Sequence, residues 1–351
     1  MIKSRNIILR VSIFGIYLIL FCSYTTLAQE QPESTGSISG FVYDSETKEP
    51  LRSANIFLSK TTLGATSDQT GYFEIKDVPP GRFILVFRYI GYSQKSILLE
   101  MDGNENVHIN DMQLDSQQVE LDYIDVTSTR PVGWMRNYEY FQAAFLGRTQ
   151  NASQTEIINP EVITFSTNPD NGNLTADASG ELHVINNALG YELFITLDIF
   201  SWNRETDTGE FYFKARINEL TPEREAQKQE WAESRARTFQ GSFRHFLQLL
   251  VDKKAEDDFR LEYGSIEFIA EGKGRYAETF IFKVNSRGDR ALNVQYGRRN
   301  QSEIEVSDNQ WIYLDQYGNL INPENVAVSG YWASQRVADF LPFDYQNAEG
   351  E

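Results

Sequence analysis

Three histidines are the first side chains that could do chemistry, because imidazole binds zinc and transfers protons near neutral pH. A zinc peptidase site uses a histidine and a glutamate three residues apart and a distant third ligand, which leaves one metal position open for water. None of His108, His183 and His245 has a glutamate at that spacing. The sequence therefore predicts no metal site, no cofactor and no zinc peptidase activity.

Ser242 and His245 form a second candidate set, in the segment "GSFRH". On a helix this spacing places both side chains on one side, as a nucleophile and its base require. A serine hydrolase also needs an orienting acid and an oxyanion site, and the chain has no G-x-S-x-G turn. A serine just before an amphipathic run is typical of a helix N-cap. We interpret Ser242 as a cap and predict no catalytic residue.

Acidic and amide side chains offer two further kinds of site. Glu256, Asp257 and Asp258 are adjacent, so they point in different directions and do not form a glycosidase pair, although a pair of distant carboxylates stays open. The segment "NPDNGN", residues 168–173, lacks the alternating acids and terminal glutamate of a calcium loop and is interpreted as a turn.

Tryptophans could stack on a ligand, because an exposed indole ring binds sugars or peptides through its face. The candidates for such a platform are Trp202, Trp311 and Trp332. The alternative is that these large apolar side chains belong to the core, since all three lie in strand-like or helix-like patterns.

The N-terminus has the pattern of a secretory signal peptide. Lys3, Arg5 and Arg10 precede an uncharged run from Val11 to Ala28. We expect cleavage after Ala28, with an uncleaved membrane anchor as the alternative. The predicted location is exported: the periplasm, the outer membrane or the cell surface.

The net charge limits the classes of binding partner, and the single cysteine limits the possible lipidation and disulfide bonds. The net charge is −18, and removal of the three basic residues of the signal peptide lowers it by three to −21. A chain this acidic lacks the basic face that nucleic acid requires. The only cysteine, Cys22, lies in the signal and follows the bulky Phe21, which does not suit a lipoprotein site. The mature chain therefore has no disulfide.

Two patterns of elements follow the signal. Seven short apolar runs between turn residues predict a mainly β N-terminal part, a seven-stranded sandwich. The last of these runs is "VELDYIDV", residues 119–126. Beyond Pro131 we predict a helix over 134–147, several strands, a helix that starts with Thr221 as N-cap and Pro222 at its first position, and a helix capped by Ser242. This second part is an α+β domain with a central helical segment.

The motifs "GFVYDSETKEPLRSANIFL", "DQTGYF" and "IGY" give a family resemblance. Together with Pro80 and Gly81 they resemble the carboxypeptidase regulatory-like domain found in proteins of Gram-negative bacterial envelopes. The resemblance implies a transthyretin-like, Ig-like β-sandwich in which Gly71, Gly81 and Gly91 serve turns, and it implies no catalytic residue.

The second part resembles the uncharacterised C-terminal half of such proteins. The motifs that carry this resemblance are "NNALGYELFITL", "FQGSFRHFL" and "GYWASQRVADFLPFDY". The predicted organisation is a signal peptide at 1–28, a linker at 29–36, the regulatory-like sandwich at 37–128, a linker at 129–133, the α+β domain at 134–345 and a tail at 346–351.

Three functions compete at this point. We favour a non-enzymatic envelope protein in which the sandwich is a docking or spacing module and the second domain binds an envelope protein or glycan. The first alternative is an accessory or relative of a TonB-dependent outer-membrane uptake system, since "LDYIDVTST" resembles the segment before the plug of such receptors. The second alternative is an unrecognised hydrolase that acts on peptide or glycan.

Overall fold

The computed structural model of the protein describes residues 35–101, 105–117, 130–273, 278–286, 291–307 and 311–347. The predicted signal peptide at 1–28 and the predicted strand at 119–126 lie outside these residues. In the described ranges, no helix is long and apolar enough to cross a membrane.

The N-terminal part is a β-sandwich. Its strands are β1 Gly36–Asp44, β2 Asn55–Leu58, β3 Gly64–Thr66, β4 Tyr72–Val78, β5 Gly81–Arg88, β6 Lys95–Met101 and β7 Asn106–Leu114. One sheet has the order β4-β1-β7 and the other β3-β2-β5-β6. Alternation buries Ile38 and Val42 of β1 between the sheets, while Ser39 and Phe41 stay partly exposed. The sandwich prediction is confirmed.

One described strand of the sandwich, β3, is absent from the predicted set. The short strand β3 was not predicted, because the sequence Gly64-Ala65-Thr66 has neither the length nor the apolar alternation of a strand. It forms through antiparallel pairing with β2. Strand β1 also pairs in parallel with β7, and that pairing joins residues far apart in the chain.

A six-stranded sheet and a helix begin the second part. The elements are α1 Trp134–Leu146, β8 Thr155–Ile157, β9 Ile163–Thr167, β10 Leu174–Ala178, β11 Leu182–Asn186, β12 Tyr191–Asn203 and β13 Thr208–Glu219. The sheet order is β8-β11-β12-β10-β9, and β13 pairs along β12. Phe141 and Phe145 of α1 are fully buried and contact Phe200 and Phe211 of the sheet. The helix covers one face of this sheet.

Four helices and two further sheets complete the fold. The helices are α2 Glu225–Phe239, α3 Phe243–Val251, α4 Ala255–Asp258 and α5 Tyr331–Ser334. The strands are β14 Phe259–Glu262, β15 Gly264–Lys273, β16 Glu278–Ser286, β17 Leu292–Tyr296, β18 Asn300–Val306, β19 Trp311–Asp315 and β20 Val326–Gly330. Their sheets have the orders β14-β17-β18-β20 and β15-β16-β19, and both share a core with the apolar side of α3.

The predicted start of α2 is wrong by several residues. The helix begins at Glu225 with Arg224 at its N-cap position, rather than with Thr221 as cap and Pro222 as first residue. The cause is the preceding hairpin, because the Leu220 amide donates to the Gly190 carbonyl at 2.9 Å and keeps the chain extended past the end of β13. The Thr-Pro pair therefore lies in the connection to the helix.

The sandwich packs directly on the second part, and the turn at residues 59–62, which joins β2 to β3, makes several of the contacts. The Lys60 amide donates to the Ala215 carbonyl of β13, and the Lys60 carbonyl accepts from the Phe343 amide, both at 2.8 Å. The Thr62 amide donates to an Asp344 carboxylate oxygen at 3.0 Å. Residues from Ser34 onward thus form one compact unit. The predicted domain boundaries remain a prediction.

Candidate binding cleft

A cleft of about 670 Å³ lies where the sandwich, the six-stranded sheet and the last two sheets meet. Ligand sites in proteins are typically clefts of this size with mainly apolar walls and a few polar groups. The apolar side chains of its wall include Phe83, Leu98, Phe213, Phe243, Leu247, Ile321 and Phe343. We use the name cleft for this space only.

Lys60 supplies the least compensated charge in the cleft. Its ammonium nitrogen lies 4.4 Å from the centre of the Phe213 ring, which is a cation–π contact. Among the described residues, Nζ makes no hydrogen bond and no ion pair. Burial lowers the pKa of Lys60 to about 8, and the nearby charges are Asp198, which raises the pKa, and Lys214, which lowers it.

The backbone at Lys60 is also unusual. Its φ is +66°, in the left-handed region where a residue other than glycine is strained. The two hydrogen bonds of its own amide and carbonyl, to Ala215 and Phe343, hold the residue in this conformation. The turn at residues 59–62 therefore fixes the backbone from which the Lys60 side chain extends.

Of the three other cations that line the cleft, Arg82 pairs with Glu100, and Arg244 and Arg336 are held by backbone carbonyls. Arg244 of α3 donates to the carbonyls of Pro342 and Phe343 at 2.5 and 2.7 Å. Arg336 donates to the carbonyls of Ala143 and Ala144 at 3.0 and 2.9 Å. Burial lowers the pKa of both guanidinium groups, which stay charged at neutral pH. These contacts fix both charges beside the cleft.

The two carboxylates of the wall are satisfied from within the protein. Asp339 accepts hydrogen bonds from Thr149 Oγ1 and Asn151 Nδ2, each at 2.8 Å. Asp315 accepts from the amides of Tyr317 and Asn319, both at 2.9 Å. Burial raises the pKa of both carboxyl groups. Their oxygens are thus occupied, whereas the Lys60 ammonium group is not.

Ser242 is the N-cap of α3. Its Oγ accepts the backbone amide of His245 at 3.1 Å as the N-cap of α3. The His245 ring is occupied elsewhere, since Nδ1 accepts the Gly241 amide at 3.1 Å and Nε2 lies 3.7 Å from a carboxylate oxygen of Asp258. No hydrogen bond joins Ser242 Oγ to the imidazole among the described residues, so the serine has no base.

The remaining histidines lie in different sheets. His108 lies on β7 near Ser39, and His183 on β11 contacts Glu192 at 2.9 Å. Over the described residues, no group of three or more histidine, cysteine or carboxylate side chains could hold a metal ion.

The acidic and amide candidates lie at the surface. Glu256, Asp257 and Asp258 are exposed on the single turn of α4. Residues 168–173 form the hairpin turn between β9 and β10, in which the side chains of Asn168 and Asn171 accept backbone amides at 2.8 and 3.0 Å.

The predicted tryptophan platform is corrected at two of its three positions. Trp202 is buried and donates its indole N–H to Asp207 at 3.2 Å, so it belongs to the core. Trp332 is also buried and donates to the Gly241 carbonyl at 2.8 Å, although it lines the cleft. Only Trp311, on the edge strand β19, is partly exposed. Alternation in a strand does not say which side faces the core.

The predicted turn glycines lie at turns with positive φ. Gly71 precedes β4 with a φ of +80°, and a Cβ there would lie 2.5 Å from the Val42 carbonyl oxygen. Gly81 opens β5 with a φ of +147°. Gly91 has a φ of +80° in the β5–β6 connection, where a Cβ would meet no atom within 4 Å. Only Gly71 combines the backbone requirement with close approach of another segment.

Sequence reasoning missed the cleft residues Lys60, Arg244 and Arg336. Lys60 lies in an ordinary polar turn, "SKTT", and its partners come from β13 and the C-terminal segment. One signal was present, because the motifs that contain Arg244 and Arg336 carried the resemblance of the second part. Both motifs meet at the cleft.

A comparison with protein families agrees with the fold of the sandwich. The family model described as CarboxypepD_reg-like domain matches residues 38–126. These residues form a carboxypeptidase regulatory-like domain. The regulatory-like domain is a non-catalytic module. A search of curated proteins finds no match.

Solved structures resemble parts of the chain at low identity. A type II cohesin–X-dockerin complex from Acetivibrio cellulolyticus is 21% identical over 22% of this chain and 56% of that chain, with a TM-score of 0.20. The minor pilin GBS52 of Streptococcus agalactiae is 17% identical over 24% and 45%, with a TM-score of 0.21. A DUF3823 family protein from Bacteroides ovatus is 10% identical over 53% and 82%, with a TM-score of 0.18. This chain spans little more than half of the first of them.

Proposed function

We propose that the chain is a non-enzymatic binding protein of the bacterial cell envelope whose ligand enters the cleft. The observation that carries this proposal is the cleft itself, about 670 Å³ with a mainly apolar wall, which the regulatory-like domain and the second part build together. In this function the regulatory-like domain docks on the second part and completes the site.

The chemistry of the wall supports binding rather than catalysis. Among the described residues no hydrogen bond joins Ser242 Oγ to an imidazole, and the carboxylates of Asp315 and Asp339 are each held by hydrogen bonds from the protein. These groups keep the wall polar at fixed points and leave the apolar surface for a ligand. The envelope location is supported by the signal-like N-terminus, since Lys3, Arg5 and Arg10 precede an apolar run.

Two apolar side chains at the rim make the proposal testable. Ile84 and Leu98 face each other across β5 and β6, and they are 40% and 60% exposed at the cleft. Exchange of Leu98 disturbs little packing because of this exposure. Ile90 offers a matched control, since it is 94% exposed on the same domain and does not line the cleft.

The experiment measures binding of N-phenyl-1-naphthylamine, a neutral apolar fluorophore, to the mature chain. We expect saturable binding that Leu98→Glu weakens and that Ile90→Glu leaves unchanged, because only the first variant places a charge at the cleft. Absence of saturable binding, or equal binding by both variants, would overturn the proposed function.

A further inference from the structure

We infer that the ligand of the cleft is an anionic amphiphile, with an apolar chain on the aromatic and aliphatic wall and a carboxylate or phosphate head group on Lys60. This inference rests on the proposed function and names the chemical class of its ligand. The carboxylates of the wall have hydrogen-bond partners within the protein, whereas the ammonium group of Lys60 has none among the described residues.

The cations and anions of the wall differ in how they are satisfied. Asp315 and Asp339 accept hydrogen bonds from neighbouring protein groups, and Arg336 donates hydrogen bonds to backbone carbonyls. Arg82 pairs with Glu100 at 2.8 Å. Among the described residues, the ammonium group of Lys60 has neither a hydrogen bond nor an ion pair. An anion is the group that would complete it.

Arg244 adds a second positive charge on the same wall. Its Nη atoms contact backbone carbonyls, and its buried Nε has no hydrogen-bond partner in the part of the chain that the structure describes. Neutral carbonyls do not cancel a guanidinium charge. Four cations line the cleft, Lys60, Arg82, Arg244 and Arg336, against two carboxylates, with Asp344 near Arg244 and Glu100 paired with Arg82, whereas the whole chain carries −18. This surplus of lining cations favours an anion at this place over the rest of the surface.

The apolar part of the ligand follows from the surroundings of Lys60. The rings of Phe213 and Phe340 lie 4.4 and 6.0 Å from its ammonium nitrogen, and both rings line the cleft. A small, strongly hydrated anion would leave this apolar surface uncovered. A head group joined to a hydrocarbon chain covers the surface and neutralises the amine at once.

The strained backbone supports a binding role for Lys60. A non-glycine residue in the left-handed region is strained, and burial of an unpaired ammonium group is a further cost to stability. Such costs are typical of residues that are held in place for a ligand. Removal of the charge should therefore weaken binding without loss of the fold.

The experiment measures binding of dodecanoate, monododecyl phosphate and 1-dodecanol to the full mature chain by isothermal titration calorimetry, below the micelle concentrations. We expect both anions to bind more tightly than dodecanol, and Lys60→Met to weaken the anions about tenfold or more while dodecanol is unchanged. Lys60→Arg should retain most of the affinity. The tighter of the two anions identifies the head group. Lys76→Met is the control, because the Lys76 side chain is 70% exposed and lies outside the cleft.

Two results would overturn the inference. One is dodecanol binding as tightly as dodecanoate, and the other is wild-type affinity of Lys60→Met for both anions. In either case the binding of N-phenyl-1-naphthylamine, and its loss in Leu98→Glu, would still support the cleft as a binding site. If that fluorophore and all three dodecyl compounds fail to bind, the proposed function falls together with the inference.

Discussion

The ammonium group of Lys60 rests on the face of Phe213, 4.4 Å from the ring centre, although the two residues belong to different parts of the fold. Lys60 comes from the β2–β3 turn of the regulatory-like domain and Phe213 from β13. The contact places a charged amine against an aromatic ring at the wall of the cleft. The destabilisation that results from burying this amine can be measured.

Lys60→Met should raise the free energy of unfolding by about 3 kcal/mol at pH 7, because it removes the buried charge and keeps the length of the side chain. The pKa of Lys60 is about 8 in the folded protein and 10.5 in a solvated lysine. The unfolded chain therefore binds more protons between these values, so the lysine penalty is fully present below pH 8 and fades as pH rises to 10.5. The difference between wild type and variant should shrink over that window.

Urea denaturation of both proteins at pH 7 and at pH 10 gives this difference. Lys76→Met should match wild type at both pH values. A difference that is constant with pH would contradict the assigned pKa of Lys60.

Gly71→Ala should destabilise the protein more than Gly91→Ala. Both glycines have a φ of +80°, so alanine meets the same backbone strain of about 1 kcal/mol at each. At Gly71 the added Cβ would also lie 2.5 Å from the Val42 carbonyl oxygen, while at Gly91 it meets no atom within 4 Å. Thermal unfolding of the two variants tests the pair, and equal melting temperatures would show that the approach to Val42 relaxes freely.

Ser242→Ala should lower stability by about 1 kcal/mol, because it removes the oxygen that accepts the His245 amide at the start of α3. Ser242→Asp should stay close to wild type, since aspartate is an equally good N-cap. Urea denaturation of the two variants separates the loss of the cap from a general intolerance of change at this position. The reverse order of stability would argue against the capping role.

Cleavage between Val126 and Trp134 should leave two pieces that stay together. The reason is the turn at residues 59–62, whose backbone hydrogen bonds to Ala215 and Phe343 do not depend on the covalent link. Size-exclusion chromatography of the cleaved protein should give one peak that contains both pieces. Two separate peaks would mean that the pieces fold as independent units.

The sequence predicts the secondary-structure elements better than the tertiary contacts between them. The sandwich was predictable because alternation such as Ile38 and Val42 in β1 and turn residues such as Gly71 are local signals. The cap at Ser242 was local as well. The environment of Lys60 was not, because Phe213 and Phe343 reach it only through tertiary packing. The burial of Trp202 and Trp332 depended on the same long-range packing.

The turn at residues 59–62 affects the order in which parts of the protein can fold during synthesis. The hydrogen bond from Thr62 to Asp344 closes a loop of 282 residues, and contacts of such separation form slowly. A polypeptide that emerges N-terminus first presents its sandwich long before residue 344 exists. In a nascent chain the turn at residues 59–62 thus lacks its partners Phe343 and Asp344 until those residues have been made, so the cleft is completed late.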